Sequence, residues 1–168
     1  MRNLSEQFGE NVTLSILDGS EVVYLERLEA RPTGLFFKTS VGSRMPVHCS
    51  SMGKAILAWL PEARLAKVLE GCNFERYTDS TITDRAALEE ELKKIRKNGF
   101  AINDQEMEVG VRSVAAPVFG ENAVPVGAIN ISVPSVRLSR KILEEEVAPV
   151  LVKYALEISR SKPYPEEA

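Results

Sequence analysis

The stretch VRSVAAPVFGENAVPVGAINISV, residues 111–133, decides the fold. Two runs, Val111 to Phe119 and Val126 to Val133, are β-branched or small almost throughout, and Gly120-Glu121-Asn122 separates them. That composition suits strands in the middle of a sheet, and the short turn-forming spacer predicts an antiparallel pair. A second hairpin lies near the N-terminus. Val12, Leu14 and Ile16 alternate with Asn11, Thr13 and Ser15, the period of a half-buried strand. Asp18-Gly19 supplies a tight turn, and Val22-Val23-Tyr24-Leu25 returns. Leu35-Phe36-Phe37, set between Gly34 and Gly42, predicts a third strand, and Phe100 to Ile102 another.

Between and around these runs the period changes to that of a helix. Leu4 to Phe8 forms a short helical lead-in. Met52, Ile56 and Trp59 make a stripe that Ser50 or Ser51 caps and that ends near Pro61. Leu65, Val68 and Leu69 form a second stripe, stopped at Gly71; residues 72–82 are polar and read as loop. Thr83 or Asp84 opens a third helix, with Leu88, Leu92 and Ile95 inward, glutamates early, basic residues late and Asn98-Gly99 as a left-handed stop. Ser139 starts a last helix, which Pro149 should kink, and the tail from Ser161 to Ala168 should fray. Three strands, three helices, three strands and a helix predict an α+β fold: an antiparallel sheet flanked by helices, not a doubly wound one.

The chain has 168 residues, enough for one domain with its own core. Apolar residues make up 44% and charged residues 27%, which excludes wholesale disorder. Lys plus Arg number 21 against 24 Asp plus Glu, a net charge of −3, so the basic excess of a free-standing DNA-binding module is missing. No apolar run has the length of a membrane span or a signal-peptide core, which predicts a soluble cytoplasmic protein with no membrane partner. Cys49 and Cys72 are too few for a disulfide framework and read as two reduced thiols.

Several groups invite chemistry. Gly53-Lys54-Ala55 resembles the end of a phosphate-binding loop, but position 48 is His where that motif needs Gly, and position 55 is Ala where it needs Ser or Thr. The amides of Ser51, Met52 and Gly53 at the helix start either meet an anion or are simply capped by Ser50. His48 next to Cys49 lacks the geometry of a nucleophile and its base, and a structural histidine is expected. One His and two Cys make a poor metal site, so no metal, cofactor or catalytic residue is assigned. Asn103, Asp104, Glu106 and Glu108 form either an acid–base cluster or a solvated loop. Ser113, Asn130 and Ser132 are polar residues in runs that otherwise read as buried strand, with Asn130 and Ser132 on one face. Either they bond neighbouring backbone, or they line a cavity for a polar ligand. With no nucleophile or base beside them, binding is favoured over catalysis.

Three motifs occur together. Gly42-Ser43-Arg44-Met45-Pro46-Val47-His48 is followed by Gly53-Lys54-Ala55-Ile56-Leu57-Ala58. Asn98-Gly99-Phe100-Ala101 precedes Glu106 and the run from Gly110 to Phe119, and Ala128 to Pro134 closes the set. In this order they resemble the effector-binding domain of the IclR-type regulators, from about Leu4 to Ser159. The resemblance implies a GAF-like antiparallel sheet of about six strands with flanking helices. It also implies a pocket for a small organic or aromatic acid, assembly into dimers or tetramers, and DNA binding only through a separate winged helix-turn-helix domain, expected to be absent from these 168 residues. Ligand contacts carried over by position are Ser51, Met52, Asn103, Ser113, Asn130 and Ser132. Here Asn103 stands where aspartate is common in that family, Ser113 for cysteine, Asn130 for serine, and Met52 for a smaller residue. A GAF-like redox enzyme using Cys49 and Cys72, and a dimerisation module with a collapsed pocket, are the alternatives.

Overall fold

The 111–133 stretch forms two long strands paired antiparallel, with Val111 opposite Pro134 and Val118 opposite Gly127. The structure, a computed structural model, describes residues 1–30 and 39–161. Its strands are β1 (Asn11–Asp18), β2 (Glu21–Leu28), β3 (Arg44–Pro46), β4 (Ala101–Asp104), β5 (Val111–Phe119) and β6 (Pro125–Pro134). They make one antiparallel sheet in the order β3-β2-β1-β6-β5-β4, so β6 joins the N-terminal hairpin to the C-terminal strands. The strand expected at Leu35-Phe36-Phe37 lies outside the described residues. The third described strand is Arg44–Pro46, three residues long and too short for periodicity to mark.

Helices cover both faces. α2 (Ser51–Leu57), α3 (Glu62–Glu70) and α4 (Arg85–Asn98) lie on one side, and α1 (Arg2–Phe8), α5 (Arg140–Ile142) and α6 (Ala148–Arg160) on the other. Alternation along the strands divides the core accordingly. Ala101, Ala115 and Ala128 face Met52, Ile56, Leu88, Leu92 and Ile95, whereas Val114, Ile129 and Ile131 face Leu4, Leu143 and Leu151. The small alanines let α2 settle close to the sheet, and all seven of its residues are buried. Asp84 caps α4 by accepting from the Ala87 amide, and Gly99 ends it at φ +83°.

The kink expected at Pro149 takes another form. The helical ladder widens into a π turn over Leu143–Val147, directly ahead of Pro149 in the first turn of α6, and this wider turn accommodates the proline's missing N–H.

Candidate functional site

All six polar and apolar positions singled out in the sequence, Ser51, Met52, Asn103, Ser113, Asn130 and Ser132, line one cavity between the sheet and the start of α2. The register explains how. Asn103, Ser113 and Ser132 stand side by side on β4, β5 and β6. Asn130 stands in the neighbouring row, with Thr13 of β1 and Arg27 of β2 beyond it. Side chains two apart on a strand share a face, so both rows open on the α2 side.

Above them Ser50 caps α2, its hydroxyl accepting from the Gly53 amide at 3.1 Å. That seats Ser51 and Met52 over the sheet. Gly53 is required there by space: a Cβ would lie 2.4 Å from the Val47 Cα and 2.5 Å from its carbonyl oxygen. The motif Gly53-Lys54 is therefore a packing motif. Lys54 points away from the cavity, is fully buried, and meets Glu106 at 2.5 Å, which excludes a phosphate-binding role.

The polar groups partly satisfy one another. The Ser51 and Ser113 hydroxyls are 2.8 Å apart, and the Asn130 amide donates to Ser132 Oγ at 3.0 Å. Asn103 accepts from the Glu106 amide at 2.9 Å, so its oxygen holds the β4–β5 loop. Two buried atoms of the cavity residues have no partner, Asn130 Oδ1 and Arg27 Nη2. Buried polar atoms without a partner are uncommon in folded proteins and mark places to look for a ligand.

Arg27, Tyr24, Met45, Met107 and Glu108 also line the cavity, and of these the sequence pattern points only to Glu108, through the acidic cluster. Burial pushes the Tyr24 phenol above its usual range, while the Arg27 charge pulls it back. Met45, Met52, Met107 and Val111 supply the apolar wall.

The remaining candidates resolve into structural roles. His48 is buried with Nε2 3.0 Å from the Glu75 carbonyl oxygen and packs against Phe74 and Tyr77. The acidic cluster is not an acid–base pair: Asp104 meets Arg112 at 2.7 Å, and Glu106 meets Lys54. Both cysteines are free thiols. Burial and the Glu106 charge push the Cys49 thiol up to about 12, and burial also raises Cys72, so neither is a thiolate nucleophile at neutral pH. Among the described residues no group of three or more His, Cys, Asp or Glu is placed to hold a metal ion, and no helix is long and apolar enough to cross a membrane.

Known proteins match this chain in sequence and in fold. The family described as "Bacterial transcriptional regulator IclR C-terminal" matches residues 1–160. The HTH-type transcriptional regulator XynR of Escherichia coli is 34% identical over 168 residues, covering 98% of this chain and 65% of its own length. Among solved structures, the IclR protein of Thermotoga maritima superposes with a TM-score of 0.88 at 33% identity, over 95% of this chain and 64% of that one. The inducer-binding domain of the transcription factor PobR from Acinetobacter, a double mutant in complex with 3-hydroxybenzoic acid, gives 0.81 at 27% identity over 94% and 92%. The chain spans 56% to 65% of the length of XynR and of the regulators KdgR and BhcR, which it also matches. These relatives are transcriptional regulators, not enzymes.

Proposed function

Because the chain belongs to the IclR family of bacterial transcriptional regulators, as their C-terminal domain, we propose that residues 1–168 are an effector-sensing domain. Its cavity takes a small organic acid, and binding controls a winged-helix domain elsewhere in the intact regulator. The observation that carries this reading is convergence. Six residues from α2, β4, β5 and β6, to which the family resemblance points by position, line one cavity. The PobR domain named above, of the same fold, holds an aromatic acid, which supports an acidic ligand.

Each residue has a role in the proposal. The Ser51 and Met52 amides and the Ser51 and Ser113 hydroxyls offer donors to a carboxylate. Asn103, Asn130 and Ser132 meet hydroxyl or keto oxygens. Met52 and Val111 exclude water from the ligand's carbon atoms. The domain assembles as a dimer or tetramer, and the effector acts by binding one quaternary arrangement more tightly than another.

The test is thermal unfolding against a panel of keto, hydroxy and aromatic acids. An acid at about a hundred times its Kd adds about 2.7 kcal/mol. At about 2–4 °C per kcal/mol for a domain of this size, Tm rises by roughly 5–10 °C. The double substitution Asn130→Ala, Ser132→Ala should abolish that rise. A variant that keeps full affinity would show that the ligand lies elsewhere.

A further inference from the structure

Sulfur is concentrated beside the turn that leads into α2. Cys49, buried between β3 and α2, brings its Sγ to 3.4 Å from the Met107 Sδ in the β4–β5 loop. The chain has four methionines, and three of them, Met45, Met52 and Met107, line one cavity. Both ends of the sulfur contact are held. Ser50, next to Cys49, caps α2. The loop carrying Met107 is pinned where Asn103 accepts from the Glu106 amide at 2.9 Å and the Thr81 hydroxyl donates to the Glu106 carbonyl oxygen at 2.6 Å.

A second observation points to a cation. The Glu106 side chain, next to Met107, is only 10% exposed, yet its Oε2 has no hydrogen-bond partner. A buried carboxylate oxygen without a donor is costly and is a place to look for a missing positive group. Its charge reaches Cys49: after burial itself, Glu106 is the largest influence raising the thiol, which stands at about 12.

Ligand type and charge balance narrow the ion. No cluster of three His, Cys, Asp or Glu exists among the described residues, and His48 Nε2 is already engaged with the Glu75 carbonyl. A thiolate with a thioether favours soft cations, Cu(I) foremost. Lys54 already balances Glu106 through Oε1. An ion that replaces the thiol proton must therefore be monovalent to leave the buried cluster's charge unchanged. Cys49–SH and M⁺ then give Cys49–S–M and a proton released to water, with no change of oxidation state. A divalent ion would leave one buried positive charge uncompensated. The half-buried Met107 gives a way in from the cavity, which Met45 and Met52 line with further thioethers.

We propose that Cys49 and Met107 form a binding site for a soft monovalent cation, Cu(I), with thiolate and thioether as its ligands and Glu106 as the facing charge. Metal binding here and acid binding in the cavity are separate properties, each measurable without the other.

The experiment titrates the full chain with Cu(I), kept reduced by ascorbate without oxygen, against a colorimetric Cu(I) chelator. Wild type and Cys72→Ser should each withhold one Cu(I) per chain from the chelator, and Cys49→Ser none. Met107→Leu conserves volume and should weaken binding by at least about tenfold, the scale on which even outer-shell partners of a metal act. Equal urea midpoints for wild type and Met107→Leu show that the loss is not unfolding. Each Cu(I) bound at neutral pH should release about one proton, because the thiol starts protonated. Zn(II) should bind wild type no better than it binds Cys49→Ser. X-ray absorption at the copper edge needs no variant and should show at least two sulfur ligands.

A folded Met107→Leu protein that binds Cu(I) within twofold of wild type reduces the site to an isolated thiol and overturns the proposal, as does a copper shell with a single sulfur. Undiminished binding by Cys49→Ser, or its loss in Cys72→Ser, places the metal elsewhere and overturns it too. Zn(II) binding that depends on Cys49 overturns the choice of a monovalent ion.

Discussion

Lys54→Met tests the interior of the site's scaffold. Lys54 is the largest fully buried side chain among the described residues, and its ammonium meets Glu106 Oε1 at 2.5 Å. Methionine keeps most of the stem and removes the charge. Glu106 is then left buried with neither oxygen paired, because its Oε2 already has no partner. Breaking a buried pair from one side costs about 3–5 kcal/mol, a large fraction of the roughly 5–15 kcal/mol that holds a domain together. Removing both charges, as in Lys54→Met with Glu106→Leu, should restore most of the loss, since the pair also carries a desolvation cost.

The pH dependence gives a second readout with a definite sign. Burial raises the Glu106 pKa, and Lys54 is the main group pulling it back down. Without Lys54 the folded-state value rises further above the unfolded one. In that window the folded state binds more protons, so stability falls as pH rises and returns on acidification. Urea unfolding at about pH 8 and about pH 5.5 should show the single variant's deficit shrinking at the lower pH, with the urea slope unchanged. A cost below about 1 kcal/mol at pH 8, or a deficit that grows on acidification, would refute the assignment of Lys54 and Glu106 as a charged buried pair.

Three further outcomes are expected. Gly53→Ala should lower stability by about 1–3 kcal/mol, because its Cβ meets Val47 backbone that cannot move aside; thermal unfolding reads this as a Tm drop of several degrees. Asp84→Ala removes the bond from the Ala87 amide and should cost about 1 kcal/mol in urea unfolding, with no effect on ligand affinity. In native protein an alkylating reagent at neutral pH should modify the half-exposed Cys72 before the buried Cys49, both far more slowly than in urea; rapid labelling of Cys49 would contradict its raised pKa.

Most of the fold was legible because hydrophobic period and capping chemistry agree along the chain. Leu88, Leu92 and Ile95 recur in α4, and Asp84 and Gly99 mark that helix's ends. β1 forms where its alternation predicts a strand but is not half-buried: helices cover both faces of the sheet, so Thr13 and Ser15 are buried while Ile16 is exposed. The other two features that escaped are ones a local pattern cannot carry. β3 is three residues held by pairing with β2, with Val22 opposite Met45, and so owes its existence to a distant strand. Around Pro149 the sequence announces a missing hydrogen bond but not where the ladder absorbs it, and a π turn ahead of the proline does so.

The cavity was legible in its polar floor and not in its charge, for one geometrical reason. Strict alternation from Val22 and Tyr24, which face α2, would send Glu26 inward and Arg27 to the opposite face. The register breaks at Leu14/Ser15 of β1: Ser15 pairs with Tyr24 but Leu14 pairs with Glu26, so Leu25 is an extra residue on β2. Such a bulge reverses the alternation of everything after it. Leu25 is left 45% exposed, and Arg27, three residues from Tyr24, turns inward beside Thr13 and Asn130. Asn130 and Ser132, by contrast, lie in the unbroken part of β6, where residue parity alone gives the face. The face of Arg27 is therefore set by its pairing with Thr13, and Leu25 is the residue the bulge absorbs. Deleting Leu25 removes the bulge but leaves Glu26 opposite Leu14 and Arg27 opposite Thr13, so the guanidinium should stay on the cavity face with β1 and β2 paired. Retained hairpin amide protection and retained acid binding are the expected outcome, and a structure of the variant with Arg27 on the opposite face would refute this register.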